Sequence, residues 1–461
     1  MSNTINRKAV AWKGYEKFLF RLFFIYFFLQ AVPLDWKYYR QVFSIDWSSL
    51  GYGAIFNLAH YAPRFTSGTP GYVDWGILLA IAFSGAIGWT VIDTRRYHVT
   101  NYDNGYYWLR VIVRYRLAIG IIAYGFIKLF PLLSPYPSLS NLNTEYGDFT
   151  RWKLFSLSLG IVPSYESFLG AVEIVGGLLL FYRKTASIGA FIIAVFLGNV
   201  FMSNVAYGGG EEVYSLYLSS LALFVLSYDA VRLLNLLLLQ RAAAPNRYRP
   251  VFAGRGRRYA RLAFKTAFIL FFVVLYGFKT RSGYKHAPYQ FPTSKGLPGA
   301  AGIYNVSEFI IGKDTLAYSK TDSTRWQDVV FENWATLSIR SNRPVLLDSN
   351  NSERPGLPDD ERDYELEGSA GRHYYTYTND SVNRLLTLRN KNPHYAGERW
   401  VLHYERPLGS RIVLSGVGSV GSGGEGVGSG KDSVYAVLDR IDKKYLLEEA
   451  RKRGRQGGLS L

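Results

Sequence analysis

The chain has 461 residues, of which 48% are hydrophobic, and a formal net charge of +18. It contains no cysteine, which excludes disulfides, thiol redox chemistry, haem attachment through cysteine and iron–sulfur ligation. Its six histidines lack HxxxH or HExxH spacing, so the sequence indicates no metal site. Apolar residues dominate up to about residue 277 and polar residues thereafter, which predicts a membrane domain followed by a soluble one.

Seven apolar stretches are predicted to cross the membrane as helices. The first follows basic residues, as a secretory signal would, but no small-x-small cleavage site comes after it, so we predict a retained span. The predicted spans are residues 18–32, 75–92, 109–131, 164–182, 188–207, 213–226 and 260–278.

Basic residues mark three of the turns between these spans. They are Arg95 and Arg96, then Arg183 and Lys184, and finally seven arginines within residues 241–261, where no acidic residue occurs. The positive-inside rule places all three turns and the N terminus in the cytoplasm, and everything after about residue 279 outside it. We therefore predict a multi-pass protein of the bacterial cytoplasmic (inner) membrane, with membrane lipids and no nucleic acid as partners. A specific anionic-lipid or RNA site in the arginine segment is the alternative.

The third span carries the most unusual charges, because Arg110, Arg114, Arg116 and Lys128 all fall within it. Lys or Arg at the centre of a membrane helix costs roughly 2.5–3.5 kcal/mol, so such charges usually face a helix bundle, a water-filled cavity or the membrane interface. This helix is therefore predicted to contain the polar site of the membrane domain.

Glu173 in the next span is predicted to lie roughly 13 Å deep and to meet Lys128. Gly170 and Gly177 share its helical face, which favours close approach of another helix and a Glu173 that points into the bundle. One interpretation is a cluster that binds a headgroup or quinone ring or relays a proton; the other is a structural ion pair with amide hydrogen bonds. The candidate residues are Tyr124, Lys128, Glu173, Asn199 and Asn204. We interpret Glu211 and Glu212, which follow three glycines, as a solvated turn.

The C-terminal region alternates apolar and polar residues in short segments, which predicts an antiparallel meander or small barrel. The residues from 285 to about 451 are expected to fold as a soluble, β-rich fragment, with its aromatic side chains in a core rather than a ligand cage. The Gly/Ser-rich stretch 416–430 and the basic tail 451–461 are predicted to be flexible. The predicted strands are residues 302–310, 334–339, 373–378, 384–389, 399–404, 411–415 and 433–439, with an eighth near 315–318.

Residues from about 109 to 239 resemble the DoxX family of small helical membrane bundles. The resemblance rests on RYRLAIGIIAYGFIKLFP at 114–131, TEYGDF at 144–149, VPSYESFLGAVEIVGGLLLFYRKT at 162–185, GNVFMSN at 198–204 and LFVLSYD ending at Asp229. The whole chain is similar to longer bacterial members that carry added N-terminal helices and a lipocalin-like β domain. Gly302-Ile303-Tyr304 resembles the Gly-x-Trp opening of that fold, with Tyr in place of Trp.

Four regions follow: N-terminal helices with an external loop (1–108), a DoxX-like four-helix core (109–239), a basic cytoplasmic loop with the last span (240–284) and an extracytoplasmic β domain with a flexible tail (285–461). The predicted function is an accessory or binding protein, not catalytic by itself, that presents the β domain to a hydrophobic ligand or protein partner. The alternative is the membrane subunit of a quinone-linked oxidoreductase, as in some DoxX relatives. No cofactor or metal site is evident, and quinone is the one cofactor left open.

Overall fold

The computed structural model describes residues 12–66, 68, 70–243, 254–286, 292–347, 359–419 and 431–453. The chain divides into two compact units. The helical unit comprises Met1–Phe130 and Ser164–Lys285, and the β unit comprises Pro131–Pro163 and His286–Leu461. The chain therefore enters the β unit twice, once between two helices of the helical unit and once at its C-terminal end.

Two sequence features set helix ends in the helical unit. Pro131 follows its longest helix, and proline cannot continue the helical hydrogen-bond ladder. Gly208 ends another in the left-handed conformation, with φ of 73°. The helices are α1 (Gly14–Ala31), α2 (Trp36–Ser44), α3 (Tyr52–Ala59), α4 (Tyr72–Ile92), α5 (Asp103–Leu129), α8 (Pro163–Leu180), α9 (Ala186–Tyr207), α10 (Glu212–Ser227), α11 (Ala230–Leu237), α12 (Arg255–Ile269) and α13 (Tyr276–Lys285), with α6 (Leu139–Leu142) and α7 (Arg151–Gly160) in the β unit.

Four helices among the described residues are long and apolar enough to cross a membrane, which is fewer than the seven predicted. They are Gly14–Ser44, Tyr72–Tyr97, Ala186–Tyr207 and Arg255–Lys285. A fifth is possible only if α10 and α11, which are bent by 71° relative to each other, count as one span. The prediction was too high because α5 carries four cations and α8 two glutamates, and these charges lower the apolar character of both helices. The membrane class itself is supported, since four apolar helices are compatible with a membrane protein.

Helix α5 lies at the centre of the helical unit. Its apolar residues pack in one core with α1, α9, α10 and α13, and residues from Leu109 to Phe126 contribute buried side chains. Because other helices surround it, its charged side chains are enclosed by protein. This explains how a helix with Arg114 and Lys128 can be the most central one.

The β unit contains a closed, eight-stranded antiparallel barrel, as the sequence predicted at the level of fold class. Neighbours in sequence pair with each other, and β1 pairs with β9 to close the barrel, while the short β2 extends β1. The architecture fits a lipocalin-like barrel. The strands are β1 (Gly302–Ile311), β2 (Asp314–Thr315), β3 (Asp328–Phe331), β4 (Thr336–Arg340), β5 (His373–Asp380), β6 (Leu385–Asn390), β7 (Arg399–Leu408), β8 (Arg411–Ser419) and β9 (Lys431–Ile441).

The eighth barrel strand is β3 and not the stretch 315–318, so that part of the prediction was wrong. Residues 314 and 315 only form β2 at the edge of β1. In β3, Val329, Val330 and Phe331 are all buried, because α6 packs on the strand's outer side while the core fills the inner side. A strand buried on both faces shows no alternation of apolar and polar residues, so the period-two signal was missing.

The segment Pro131–Pro163 covers one side of the barrel and supplies polar partners to it. Glu332 accepts hydrogen bonds from the backbone nitrogens of Leu139, at 3.0 Å, and Ser140, at 2.7 Å. The backbone nitrogen of Thr150 donates to the carbonyl of Gly368 at 2.9 Å. A stretch predicted to be a plain external loop is thus part of the folded β unit.

Both regions predicted to be flexible fall partly outside the described residues. In 416–430, residues up to Ser419 extend β8, and the remainder is not described. In the tail, residues up to Arg453 complete α14 (Leu446–Arg453), and those beyond are not described.

Candidate functional site

The Lys128–Glu173 pair joins α5 to α8 inside the helical unit. Lys128 Nζ lies 2.5 Å from Glu173 Oε1, and Glu173 is 2% exposed. The expected glycine contact exists: a Cβ added at Gly170 would collide with the carbonyl oxygen of Gly125, and one at Gly177 would lie 2.5 Å from a carbon of Ile122. Close backbone approach is therefore what buries this ion pair.

Tyr124 connects the pair to a second group of polar side chains. Its ring centroid lies 5.8 Å from Lys128 Nζ, and its hydroxyl donates to Glu211 Oε2 at 3.3 Å. His60 Nε2 lies 3.5 Å from that same Glu211 oxygen, and the His60 ring packs on Tyr214 with centroids 3.9 Å apart. A phenol, a carboxylate and an imidazole thus lie together at this place in the helical unit.

The two predicted asparagines have different positions. Asn204 is 5% exposed, and its Oδ1 accepts a hydrogen bond from the Glu211 backbone nitrogen at 3.3 Å. Asn204 thereby fixes the turn that brings Glu211 to Tyr124. Asn199 is exposed and accepts a hydrogen bond from the Ser203 hydroxyl at 3.3 Å, so the structure does not bring it into the cluster.

Three arginines of α5 have different partners. Arg110 lies 3.2 Å from Asp229 Oδ2 and stacks on the Tyr228 ring. Arg116 donates from Nε to the Tyr217 hydroxyl at 3.1 Å, and also to the carbonyl of Tyr61. For Arg114, which is 7% exposed, the described part of the chain offers neither a hydrogen bond nor an ion pair.

Arg114 and Arg116 line a cavity of about 770 Å³ in the helical unit. Ligand sites of proteins typically have volumes of about 300–1,000 Å³. Neither aspartate nor glutamate occurs among the described residues that line it. The lining residues are Ala31, Val32, Pro33, Tyr38, Tyr107, Trp108, Val111, Ile112, Arg114, Tyr115, Arg116, Ile119, Phe181, Tyr182, Arg183, Arg261, Phe264, Lys265, Phe268 and Phe272. The cavity is therefore aromatic, apolar and cationic.

Side chains fill the interior of the β barrel. The core includes Phe309, Trp326, Phe331, Tyr375 and Trp400, each of which is almost fully buried. Such a filled interior is one of the two arrangements that eight strands permit, the other being a space for one small ligand. The expectation that these aromatics form a core agrees with their packing.

Buried carboxylates of the β unit have dense hydrogen-bond shells. Burial raises the pKa of Glu332, although the Ser140 hydroxyl and two backbone nitrogens donate to it. Burial also acts on Glu398, but hydrogen bonds from Arg343, together with Asn390 and Tyr375, hold its pKa below the ordinary value. These shells satisfy the carboxylates within the fold and indicate a structural role.

No protein-family model, curated protein or solved structure matches this chain. Nothing in these comparisons bears on the DoxX resemblance, which stays an expectation drawn from the sequence.

Sequence reasoning missed His60, Glu211 and the cavity. The histidine spacing gave no reason to connect His60 with Glu211, which is 151 positions away. Glu211 was interpreted as part of a solvated turn, because its contact with Tyr124 depends on packing. The sequence signal for the cavity was the pair of basic segments that contain Arg183 and Arg261. These segments are far apart in the sequence, so the sequence alone did not show that both line one cavity.

Proposed function

We propose that this protein is a DoxX-like accessory membrane protein that holds a hydrophobic ligand in its helical unit and presents the β unit, outside the cytoplasm, to a protein partner. The observation that carries the proposal is the cavity of about 770 Å³. Ligand pockets are usually concave, mostly apolar and furnished with a few polar groups, and this cavity has that composition.

The filled barrel core favours the helical cavity over the barrel as the ligand site. Trp326 and Trp400 pack edge to face, with ring centroids 5.8 Å apart, in the middle of that core. A hydrophobic ligand would have to displace these side chains, whereas the helical cavity needs no such change. The role left to the barrel is a surface for a partner.

The extracytoplasmic side of the β unit is proposed from the basic turns, and the division of the chain is consistent with it. Pro131–Pro163 and the residues after Lys285 belong to one unit, so they must lie on one side of the membrane. The helices between Ser164 and Lys285 then cross an even number of times. This agrees with placing the basic turns at Arg183 and Arg261 on the opposite, cytoplasmic side.

Mass spectrometry of small molecules that co-purify with the full chain in mild detergent tests the ligand proposal. We expect a bound amphiphile, and we expect Val111→Trp, which fills the cavity, to remove it. Val175→Trp is the matched control because Val175 is exposed and does not line the cavity. Stoichiometric quinone would instead favour the oxidoreductase subunit, and a ligand-free protein would contradict both proposals.

A further inference from the structure

We propose that the cations lining the cavity bind the phosphate group of a lipid whose acyl chains contact the apolar part of the lining. The proposal rests on the ligand site proposed above and assigns it a chemical class. Four cations carry it: Arg114 on α5, Arg183 after α8, and Arg261 and Lys265 on α12. They come from three separate parts of the chain, so the fold has assembled them.

The cations are close enough to repel one another. Arg110 and Arg183 act on Arg114 by charge repulsion, and Arg114 and Arg261 act on Lys265 in the same way. None of the described residues that line the cavity is acidic, and the nearby carboxylate of Asp229 is already bonded to Arg110. Repulsion between like charges is costly in a medium of low dielectric constant. A bound anion would offset this repulsion, because it attracts each of the cations.

Arg114 is the central observation. Its guanidinium has five N–H donors, and yet Nε is buried without a hydrogen-bond partner in the described structure. Arg110 and Arg116, on the same helix, are both bonded to protein oxygens. A guanidinium that is over nine-tenths buried, lines a cavity and lacks a hydrogen-bond partner among the described residues fits a ligand oxygen.

Phosphate fits this group better than a carboxylate does. A phosphate has oxygens in several directions and can accept a bidentate contact from one arginine while it also contacts others. Lys265 already donates to the carbonyl of Phe181 at 3.1 Å, which holds its ammonium at the cavity wall.

The rest of the lining suits acyl chains. Phe264, Phe268 and Phe272 follow one face of α12 and its continuation, and Phe181 packs against Phe268 with centroids 6.1 Å apart. Trp108, Tyr107 and Tyr115 on α5 also line the cavity, and such aromatics are enriched at the headgroup level of membranes. The lining thus combines cationic groups with apolar surface, as the binding of an amphiphile requires.

The test uses the full chain, stripped of lipid in detergent, and native mass spectrometry after incubation with phosphatidylglycerol, phosphatidylcholine or inorganic phosphate. We expect phosphatidylglycerol to be retained about tenfold more tightly than phosphatidylcholine. The choline group of phosphatidylcholine is positively charged, and no acidic residue among the described lining residues is present to bind it. Arg114→Met should reduce that retention by about the same factor. Arg96→Met is the control, since Arg96 is an exposed cation that does not line the cavity.

Thermal stability separates binding from folding. Without lipid, Arg114→Met should be at least as stable as the wild type, because it removes an unpaired buried charge, while Arg110→Met should be less stable. If inorganic phosphate raised the thermal stability as much as the lipid does, the ligand would be phosphate itself, and the proposal of a lipid would be wrong. Equal retention of both lipids, unchanged by Arg114→Met, would overturn this inference and leave the ligand site of the proposed function standing. Retention of no amphiphile would overturn both.

Discussion

The two units enclose buried charges in different ways. In the helical unit, Glu173 accepts one hydrogen bond, from Lys128, and its second oxygen has no partner within the described residues. In the β unit, Glu398 accepts hydrogen bonds from Arg343, Tyr375 and further side chains. Groups that are saturated by the protein hold a fold together, whereas Arg114, which lines the cavity and whose Nε lacks a partner among the described residues, is available to a ligand. The comparison therefore directs the search for function to the helical unit.

The covering segment Pro131–Pro163 is the clearest sign that the polar network of the β unit is structural. If the segment is part of the barrel's fold, its removal should lower stability more than any single substitution in either unit. We would express residues 292–453 alone and joined through a Gly/Ser linker to residues 131–163. The lone fragment leaves Glu332 and Gly368 without the donors from Ser140 and Thr150. Three hydrogen bonds to Glu332 and one to Gly368 are lost, and bonds to a charged group contribute about 1.5–3 kcal/mol each, so we expect a loss of about 5 kcal/mol in the free energy of unfolding.

Urea denaturation followed by circular dichroism measures this difference. A joined fragment that carries Ser158→Ala is the control, because the exposed Ser158 hydroxyl bonds only to the carbonyl of Phe155 within its own helix. Equal urea midpoints for the lone and joined fragments would contradict a structural role for the segment and support the sequence expectation that the C-terminal region folds by itself.

Sequence patterns predicted the elements whose two faces differ. Strands such as β6 alternate, because one side meets the core and the other meets solvent, and their positions were predicted to within a few residues. Strand β3 lacks such a difference because α6 covers it, and it was missed. The seven-span prediction failed for a related reason: α5 is surrounded by other helices and α8 buries its two glutamates, so mean hydropathy along either helix is a poor guide to them.

The candidate site was predictable only where both interacting residues stand out in the sequence. Lys128 and Glu173 are charges inside apolar segments, and their pairing was predicted from depth and from the glycines on the Glu173 face. The proximity of His60 to Glu211 depends on how a short helix packs, which leaves no local pattern. The same holds for the cavity, since no short stretch of sequence records that Arg114 and Arg261 line one space.

The second prediction tests whether Lys128 and Glu173 depend on each other for the compensation of their buried charges. Lys128→Met and Glu173→Gln should each destabilise the unit by about 3–5 kcal/mol, because each leaves the other charge buried and unpaired. The double variant should cost less than the sum, with a coupling of about 0.5–3 kcal/mol. Thermal unfolding of the full chain in detergent, with hydrogen exchange of α5 and α8, measures both quantities.

Arg411 and Asp439 provide the control cycle. Their side chains are 43% and 35% exposed at a separation of 2.7 Å, so their coupling should be no more than about 1 kcal/mol. Additive effects at Lys128 and Glu173 would mean that the two residues are independent. Loss of bound ligand in the double variant, with stability retained, would instead connect the pair to function.

The smallest expected effect is a pH dependence in the β unit, where one carboxyl departs from the saturated pattern. Burial, together with repulsion from Glu365 and Glu367, raises the pKa of Asp363 to about 7, although the Leu366 backbone nitrogen donates to it. The folded state therefore binds the proton more tightly than the unfolded state. Stability should fall as pH rises from about 4 to about 7 and then level off.

Asp363→Asn should remove this dependence, because the amide keeps the acceptor for Leu366 and cannot ionise. Above pH 7 we expect a gain of about 1 kcal/mol, a value reduced for the solvent that reaches the partly buried carboxyl. Asp380→Asn is the matched control: hydrogen bonds from Asn383 lower the pKa of that exposed carboxyl, so its replacement should shift stability in the opposite direction. Hydrogen exchange of the barrel strands in the full chain at pH 5 and pH 8, corrected for intrinsic exchange rates, distinguishes the cases. If Asp363→Asn left the pH profile unchanged, the Asp363 carboxyl would be as well solvated as an ordinary surface aspartate. Its pKa would then not distinguish it from the other carboxylates of the β unit.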